Sequence, residues 1–217
     1  QGAGYTVTDS HQFVKDVLPT DVDFGWDGKM YISDWSNGWY SDHTGQIFTV
    51  WDPSLIEDVN IRTAQNLVRD GFGKQAESLL LQCLAHPDIR IRQRAHLELA
   101  RRGTKTTDSV AKVAADAGRA FEPRLHALWA LGVQARHAAD AGQHNSKADA
   151  AIVARLADEQ VEIRRLAARL AGDARITTTS EALVSLLTDE DLRVRAQAAI
   201  ALGKIEYLPA IANIAAM

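Results

Sequence analysis

The side chains of this 217-residue chain that could do chemistry are few and scattered. Seven histidines (His11, His43, His86, His96, His126, His137 and His144) show no spacing that would gather metal ligands. His126 and Trp129 fall within one helix turn and read as packing residues, and His86, before Pro87, reads as a turn residue. The single cysteine, Cys83, excludes an internal disulfide and any Cys-pair metal site. It sits in LLLQCLAH at a helical apolar position, as a buried thiol does. Asp21, Asp23, Asp27, Asp34 and Asp42 cluster like a calcium loop, but the glycine and terminal Glu of an EF-hand are misplaced. Capping of turns and strand ends is the simpler reading, with a lone calcium at Asp27 or Asp42 left open. Tyr31, Trp35, Trp39 and Tyr40 could stack on a sugar; sheet core is the simpler use. Gly71–Gly73 is a helix stop and not a phosphate cradle, and no nucleophile triad or paired-carboxylate site has a clear context. The sequence therefore assigns no catalytic, cofactor-binding or metal-ligating residue.

What recurs is structural. Arg, then Ala three residues on, then a small residue eight on, is written four times: Arg92–Ala95–Ala100, Arg124–Ala127–Gly132, Arg164–Ala167–Gly172 and Arg195–Ala198–Gly203. The surrounding text repeats with it, as RQRAHLELA, RLHALWALG, RRLAARLAG and RAQAAIALG. Successive arginines are 32, 40 and 31 residues apart, a period that signals stacked supersecondary units. Residues three apart share a helix face, and the apolar residues between them line a buried stripe. The fold class expected is mainly α, a superhelix of about four helix pairs. Asp88, Arg92, Arg124, Arg164, Asp191 and Arg195 are its structural repeat positions.

Charge divides the chain. Residues 1–58 hold two lysines, no arginine and ten acids, a net −8; the remainder carries 22 bases against 18 acids, a net +4. Four of the five tryptophans lie in the first part. The shift puts a domain boundary near residue 52, giving a β segment at 1–51 and an α-solenoid at 52–217. A net +4 over so long an array speaks against nucleic acid, whose binders show a strongly basic face. No run reaches the roughly 20 apolar residues of a membrane span.

In the β segment, residues 5–14 alternate loosely. DVDFG, KMYISDW and QIFTVW read as strands of a small antiparallel sheet, with Asp27-Gly28 as a tight turn. Asp52-Pro53 should open the first helix, over about 54–70, because Asp caps and Pro suits the first turn. Pairs follow at about 74–85 with 88–102, 108–117 with 121–139, 149–157 with 161–174, and 180–187 with 191–203. The connector GQHNSK, residues 142–147, accounts for the 40-residue gap. A last apolar stretch from Pro209 reads as the first helix of a further pair. With an uncapped last repeat and a lone sheet, the chain reads as an interior piece of a larger protein.

Asp88-Ile-Arg-Ile-Arg92 and Asp191-Leu-Arg-Val-Arg195, each followed by Ala three residues on, resemble the HEAT repeat. In that family the acid and the arginine bond between adjacent repeats. The second and third repeats depart, with Ala120 and Gln160 at the acid's place. The order TDVDFG, DG, YISDW, GW, then DP and HPDIRIRQRA is similar to large bacterial proteins described as membrane-bound dehydrogenases. In those, a β-propeller resembling sugar dehydrogenases leads into HEAT repeats and then a c-type cytochrome domain. The resemblance implies that 1–51 is the last propeller blade and that haem c sits elsewhere in the parent, since Cys-x-x-Cys-His is absent here.

The expected role is a non-catalytic scaffold that spaces domains in an extracytoplasmic, periplasmic dehydrogenase-like protein acting on sugars or related alcohols. Its partners would be other domains of the same polypeptide or a separate protein. Two alternatives stand beside it: a nucleic-acid-binding HEAT protein, and an enzyme fragment whose β segment binds sugar or calcium.

Overall fold

The computed structural model describes residues 6–35 and 45–215. Trp39, Tyr40, Asp42, His43 and Met217 lie outside the described residues. The chain divides into two compact units between Gly71 and Phe72.

The first unit holds a three-stranded antiparallel sheet, β1 (Pro19–Phe24), β2 (Met30–Asp34) and β3 (Gln46–Val50), in the order β1-β2-β3. Asp27-Gly28 turns the β1–β2 hairpin, Gly28 at a φ of 77° that favours glycine. A Cβ there would also meet Ile61 of α1 (Val59–Asp70) at 2.4 Å, so side-chain space and backbone both demand glycine. This contact carries the first unit past the compositional break near residue 52. Asp52-Pro53 does start helical geometry, but only as one 3₁₀ turn; α1 begins after its own cap, Asp58, which accepts from Asn60 N at 2.7 Å. The alternation in 5–14 does not make a strand: residues 6–14 are irregular.

Register sets Val22, Ile32 and Phe48 in one row and Phe24, Met30 and Val50 in the next, on one face of the sheet. Ile32 is buried, while Val22, Phe24 and Phe48 are exposed, as is Trp35.

The second unit is a stack of helix pairs. Short outer helices α2 (Glu77–Cys83), α4 (Thr107–Ala115), α6 (Ser146–Val153) and α8 (Ser180–Ser185) alternate with long ones, α3 (Ile89–Arg101), α5 (Phe121–Asp140), α7 (Val161–Asp173) and α9 (Leu192–Lys204). A short α10 (Ile211–Ala215) follows. The 40-residue gap comes mostly from α5, which has 20 residues where α3, α7 and α9 have 13. Asn145 then caps α6 by accepting from Ala148 N at 3.2 Å.

Each long helix packs on the next. The repeated Ala, at 95, 127, 167 and 198, is fully buried in every copy. The small residue eight after the arginine sets how close two helices come. A Cβ on Gly132 would lie 2.3 Å from Leu170 Cδ2, and one on Gly172 would lie 2.8 Å from the Ala201 Cα. Gly203 has open space.

Gly172→Ala should therefore cost about 1–3 kcal/mol, because backbone atoms of α9 have to give way. Gly203→Ala should instead stabilise by roughly 0.5–1 kcal/mol through helix propensity. Urea titrations of the two variants would show opposite shifts in midpoint; equal shifts would rule out close approach as the reason for the glycine at 172.

Candidate functional site

The residues the sequence singles out form one continuous set of braces along the stack. Arg92 Nη1 donates back to the His86 and Pro87 carbonyls at 2.6 and 2.8 Å, and its Nε donates forward to His126 Nε2 at 3.1 Å. Arg124 reaches forward to Asp158 at 2.5 Å. Arg164 donates back to the carbonyls of Asp158 and Glu159, and forward through Nε and Nη2 to both oxygens of Asp189. Arg195 donates back to the Asp189 carbonyl at 2.9 Å. Each guanidinium satisfies the open end of its own inter-helix turn and, in the first three repeats, grips the repeat that follows.

Asp88 and Asp191, read from the sequence as the arginines' partners, serve differently. Each caps its own helix, accepting from the backbone two residues on, and pairs with the arginine there: Asp88 with Arg90, Asp191 with Arg193. These contacts hold both carboxyls below the usual carboxylate range, the side-chain bond to Arg193 leading for Asp191; for Asp88 the arginine contacts outweigh burial, which pushes the other way. The interface acids are Asp158 and Asp189, each six residues before the arginine of its own repeat. That offset was the signal available, and in the other two repeats it holds His86 and Gly118. Because Gly118 offers no carboxylate, Arg92 takes His126 instead.

The Arg124–Asp158 pair is the most enclosed, with both side chains 5% exposed, and Arg155 adds a second contact to Asp158 at 3.2 Å. Breaking a buried pair strands the surviving charge.

His96 and His126 face each other across the first interface, their Nδ1 atoms 2.9 Å apart. Arg92 donates to His126 Nε2, so that nitrogen is bare and the ring proton sits on Nδ1, donating to His96. Both rings are buried, and both are pushed down to about 4: His96 by desolvation and then by His126, His126 by desolvation and then by Arg92, with Glu122 opposing weakly. Protonating either ring would set donor against donor. Beside them Gln134, buried in α5, accepts from Thr107 Oγ1 at 2.7 Å and donates to the Leu99 and Gly103 carbonyls. Neither the histidine pair nor this network was read from the sequence.

The long helices show one exposed row, five residues after each arginine: Leu97, Trp129, Arg169 and Ile200. The Arg169 guanidinium lies 5.2 Å over the Trp129 ring, which aligns the row across neighbouring helices. On the outer side, α4 and α6 flank a shallow, mostly alanine-lined hollow of about 580 Å³ whose charged lining residues are Asp108, Lys112 and Arg155. It lacks the convergent polar groups of a small-molecule site. Among the described residues no three His, Cys, Asp or Glu side chains converge as metal ligands, and no helix is long and apolar enough to cross a membrane. In the sheet unit, Asp21 and Asp23 accept from the next residue's backbone N–H, and Asp27 takes Tyr31 Oη and Lys29 N. Asp34 accepts from Leu18 N. Burial raises the pKa of Cys83 and keeps it a thiol.

Alternating helix pairs braced by an arginine per repeat decide what the stack resembles. Residues 150–217 match the family model of HEAT repeats. The match covers the Arg164 and Arg195 repeats, which the Arg164–Asp189 brace joins, and it supports a HEAT-repeat family for a chain of HEAT-like helical fold. No curated protein matches the chain.

Arg124→Ala should cost about 1.5–3 kcal/mol, since Asp158 loses its most buried partner and keeps only Arg155. Arg195→Ala removes only a carbonyl contact and should cost about 1 kcal/mol. Chemical denaturation of both variants checks the order; equal losses would mean that the forward brace adds nothing.

The histidine pair predicts a pH window. Its folded values lie below the unfolded 6.5, so the unfolded chain binds more protons between them. Its contribution is complete above about pH 6.5 and is lost as pH falls toward 4. A loss on the order of 5 kcal/mol is expected across that range, about half from each ring. Melting temperature measured from pH 7 to 4 should fall steeply for the native chain and less for a His96→Gln/His126→Gln variant; parallel curves would remove the pair from the account.

Proposed function

We propose that this chain is a non-catalytic scaffold of HEAT repeats that spaces and docks domains. HEAT repeats suggest such a role, and the observation that carries it is where the reactive groups go. Arg92, Arg124, Arg164, Asp158, Asp189, His96, His126 and Gln134 join one repeat to the next, and the acids of the sheet unit cap its own strands and turns.

The finer reading is that it belongs to a larger bacterial, extracytoplasmic protein of the dehydrogenase-like kind, with haem c on a later domain. Its support is the resemblance in the sheet unit and the apolar face of β1–β3, which is what one blade of a propeller presents to its neighbour. A nucleic-acid role draws less support. Arg101, Arg165, Arg169 and Lys204 of the long-helix face pair with acids of that face, and Leu97, Trp129 and Ile200 interrupt the cations. A sugar or calcium site draws less as well, because the described acids are engaged as caps.

The coding sequence on either side of this chain tests the finer reading. Blade-forming strands before it and a Cys-x-x-Cys-His motif after it are expected; flanks containing neither would overturn it. The purified chain should reduce no redox dye in the presence of simple sugars, and reproducible turnover would overturn the non-catalytic reading.

A further inference from the structure

We propose that the exposed face of α3, α5, α7 and α9 docks an acidic amphipathic helix of a partner protein. The proposal rests on the scaffold reading and names the partner chemistry of one of its faces.

Two features of the face define the occupant. The first is an apolar row crossing the helices. Leu97 is 52% and Ile200 53% exposed, and Trp129 between them is half-buried under Arg169. Neighbouring helices lie about 8–10 Å apart. A helix rises about 1.5 Å per residue, so residues seven apart are about 10.5 Å apart along it. A helix laid across the stack with apolar residues at i, i+7, i+14 and i+21 would meet Leu97, Trp129 and Ile200 with three of them and the alkyl stem of Arg169 with the other.

The second feature is the sign of charge at the surface. Arg101 pairs with Glu98 and Arg169 with Asp173, but the cations stand outside and the acids lie beneath: 69% against 8% exposure, and 48% against 21%. Lys204 also bonds Asp173 and lies farther out than it. Arg165 stands one helix turn before Arg169, while on α5 the exposed Arg136, two turns after Trp129, is balanced by the exposed Glu122, two turns before it. An incoming segment meets N–H donors first, beside an apolar ridge. Carboxylates flanking an apolar stripe complement that pattern. A phosphate backbone has no apolar stripe to cover the ridge.

The test uses three labelled probes with the full chain, read by fluorescence anisotropy. One is a peptide of about 22 residues with Leu at every seventh position and Glu flanking it. The second has Lys in place of every Glu, and the third is a short DNA duplex. The acidic peptide should bind, and should weaken as salt is raised. Binding should fall about tenfold or more in Trp129→Ala, as for an aromatic at the centre of an interface. It should fall similarly in Leu97→Glu/Ile200→Glu, whose exposed sites leave the fold unaffected; unchanged circular dichroism checks this. Failure of the acidic peptide to bind, equal binding of the lysine peptide, displacement of the acidic peptide by DNA, or indifference to both variants would each overturn the proposal. None of these outcomes bears on the flanking coding sequence, so the docking face and the domain-spacing reading can fail separately.

Discussion

One guanidinium in each repeat ties an inter-helix turn to the core of the stack. The turn's carbonyls cannot bond within a helix and are partly sheltered from water, so something must satisfy them. Arginine does this and has donors left over, because its planar fork offers several in fixed directions. Arg164 uses the surplus in full, holding two backward carbonyls and both oxygens of Asp189. Lysine, a single point of charge, could not hold both sides in one geometry. The buried alanine three residues on and the glycine eight on follow from the same requirement: the helices must approach closely enough for the arginine to span the gap.

The two units meet this need for mutual burial differently. The helical stack covers its apolar residues by repeating, each pair closing the one before it. Three strands cannot do so, and the face carrying Val22, Phe24 and Phe48 remains in water. The hairpin's glycine, pressed on Ile61, shows the sheet recruiting α1 for part of that cover.

Much of the helical stack was legible because its signal is periodic. Arg92, Arg124, Arg164 and Arg195 marked the long helices, and their spacing gave the pairs. The partners of those arginines were not legible in the same way. Asp88 and Asp191 match the expected acid in sequence, but a residue preceding a helix is drawn to the free N–H groups of its own first turn. The true partners, Asp158 and Asp189, come from the next repeat, 34 and 25 residues beyond Arg124 and Arg164. No local pattern connects such pairs. The His96–His126 contact was hidden for the same reason, and it exists because Gly118 left a rung without an acid. The 40-residue gap was misread because a long helix and a loose loop add residues alike; HNS looked like loop, but the extra length lies mainly in α5. Residues 6–14 alternate, yet they join neither open edge of the sheet, so alternation alone did not make a strand.

The braces point one way. Arg92 reaches toward the second repeat, Arg124 toward the third and Arg164 toward the fourth, whereas the side-chain pairs that run backward, Arg193 with Glu162, Lys204 with Asp173 and Lys147 with Asp108, lie closer to the surface than Arg124 and Arg164. The stack is thus a chain of latches, each fastened by the arginine of one unit to an acceptor on its successor. In such an array, folding propagates by addition: a formed repeat presents an arginine already held by its own turn, and the incoming repeat has only to bring its acceptor. The rungs also differ in hardness, from the enclosed carboxylate pair at Arg124 to the neutral imidazole at Arg92. Under tension they would release in that order from the soft end, so the molecule would lengthen by whole helix pairs and not by uniform stretching.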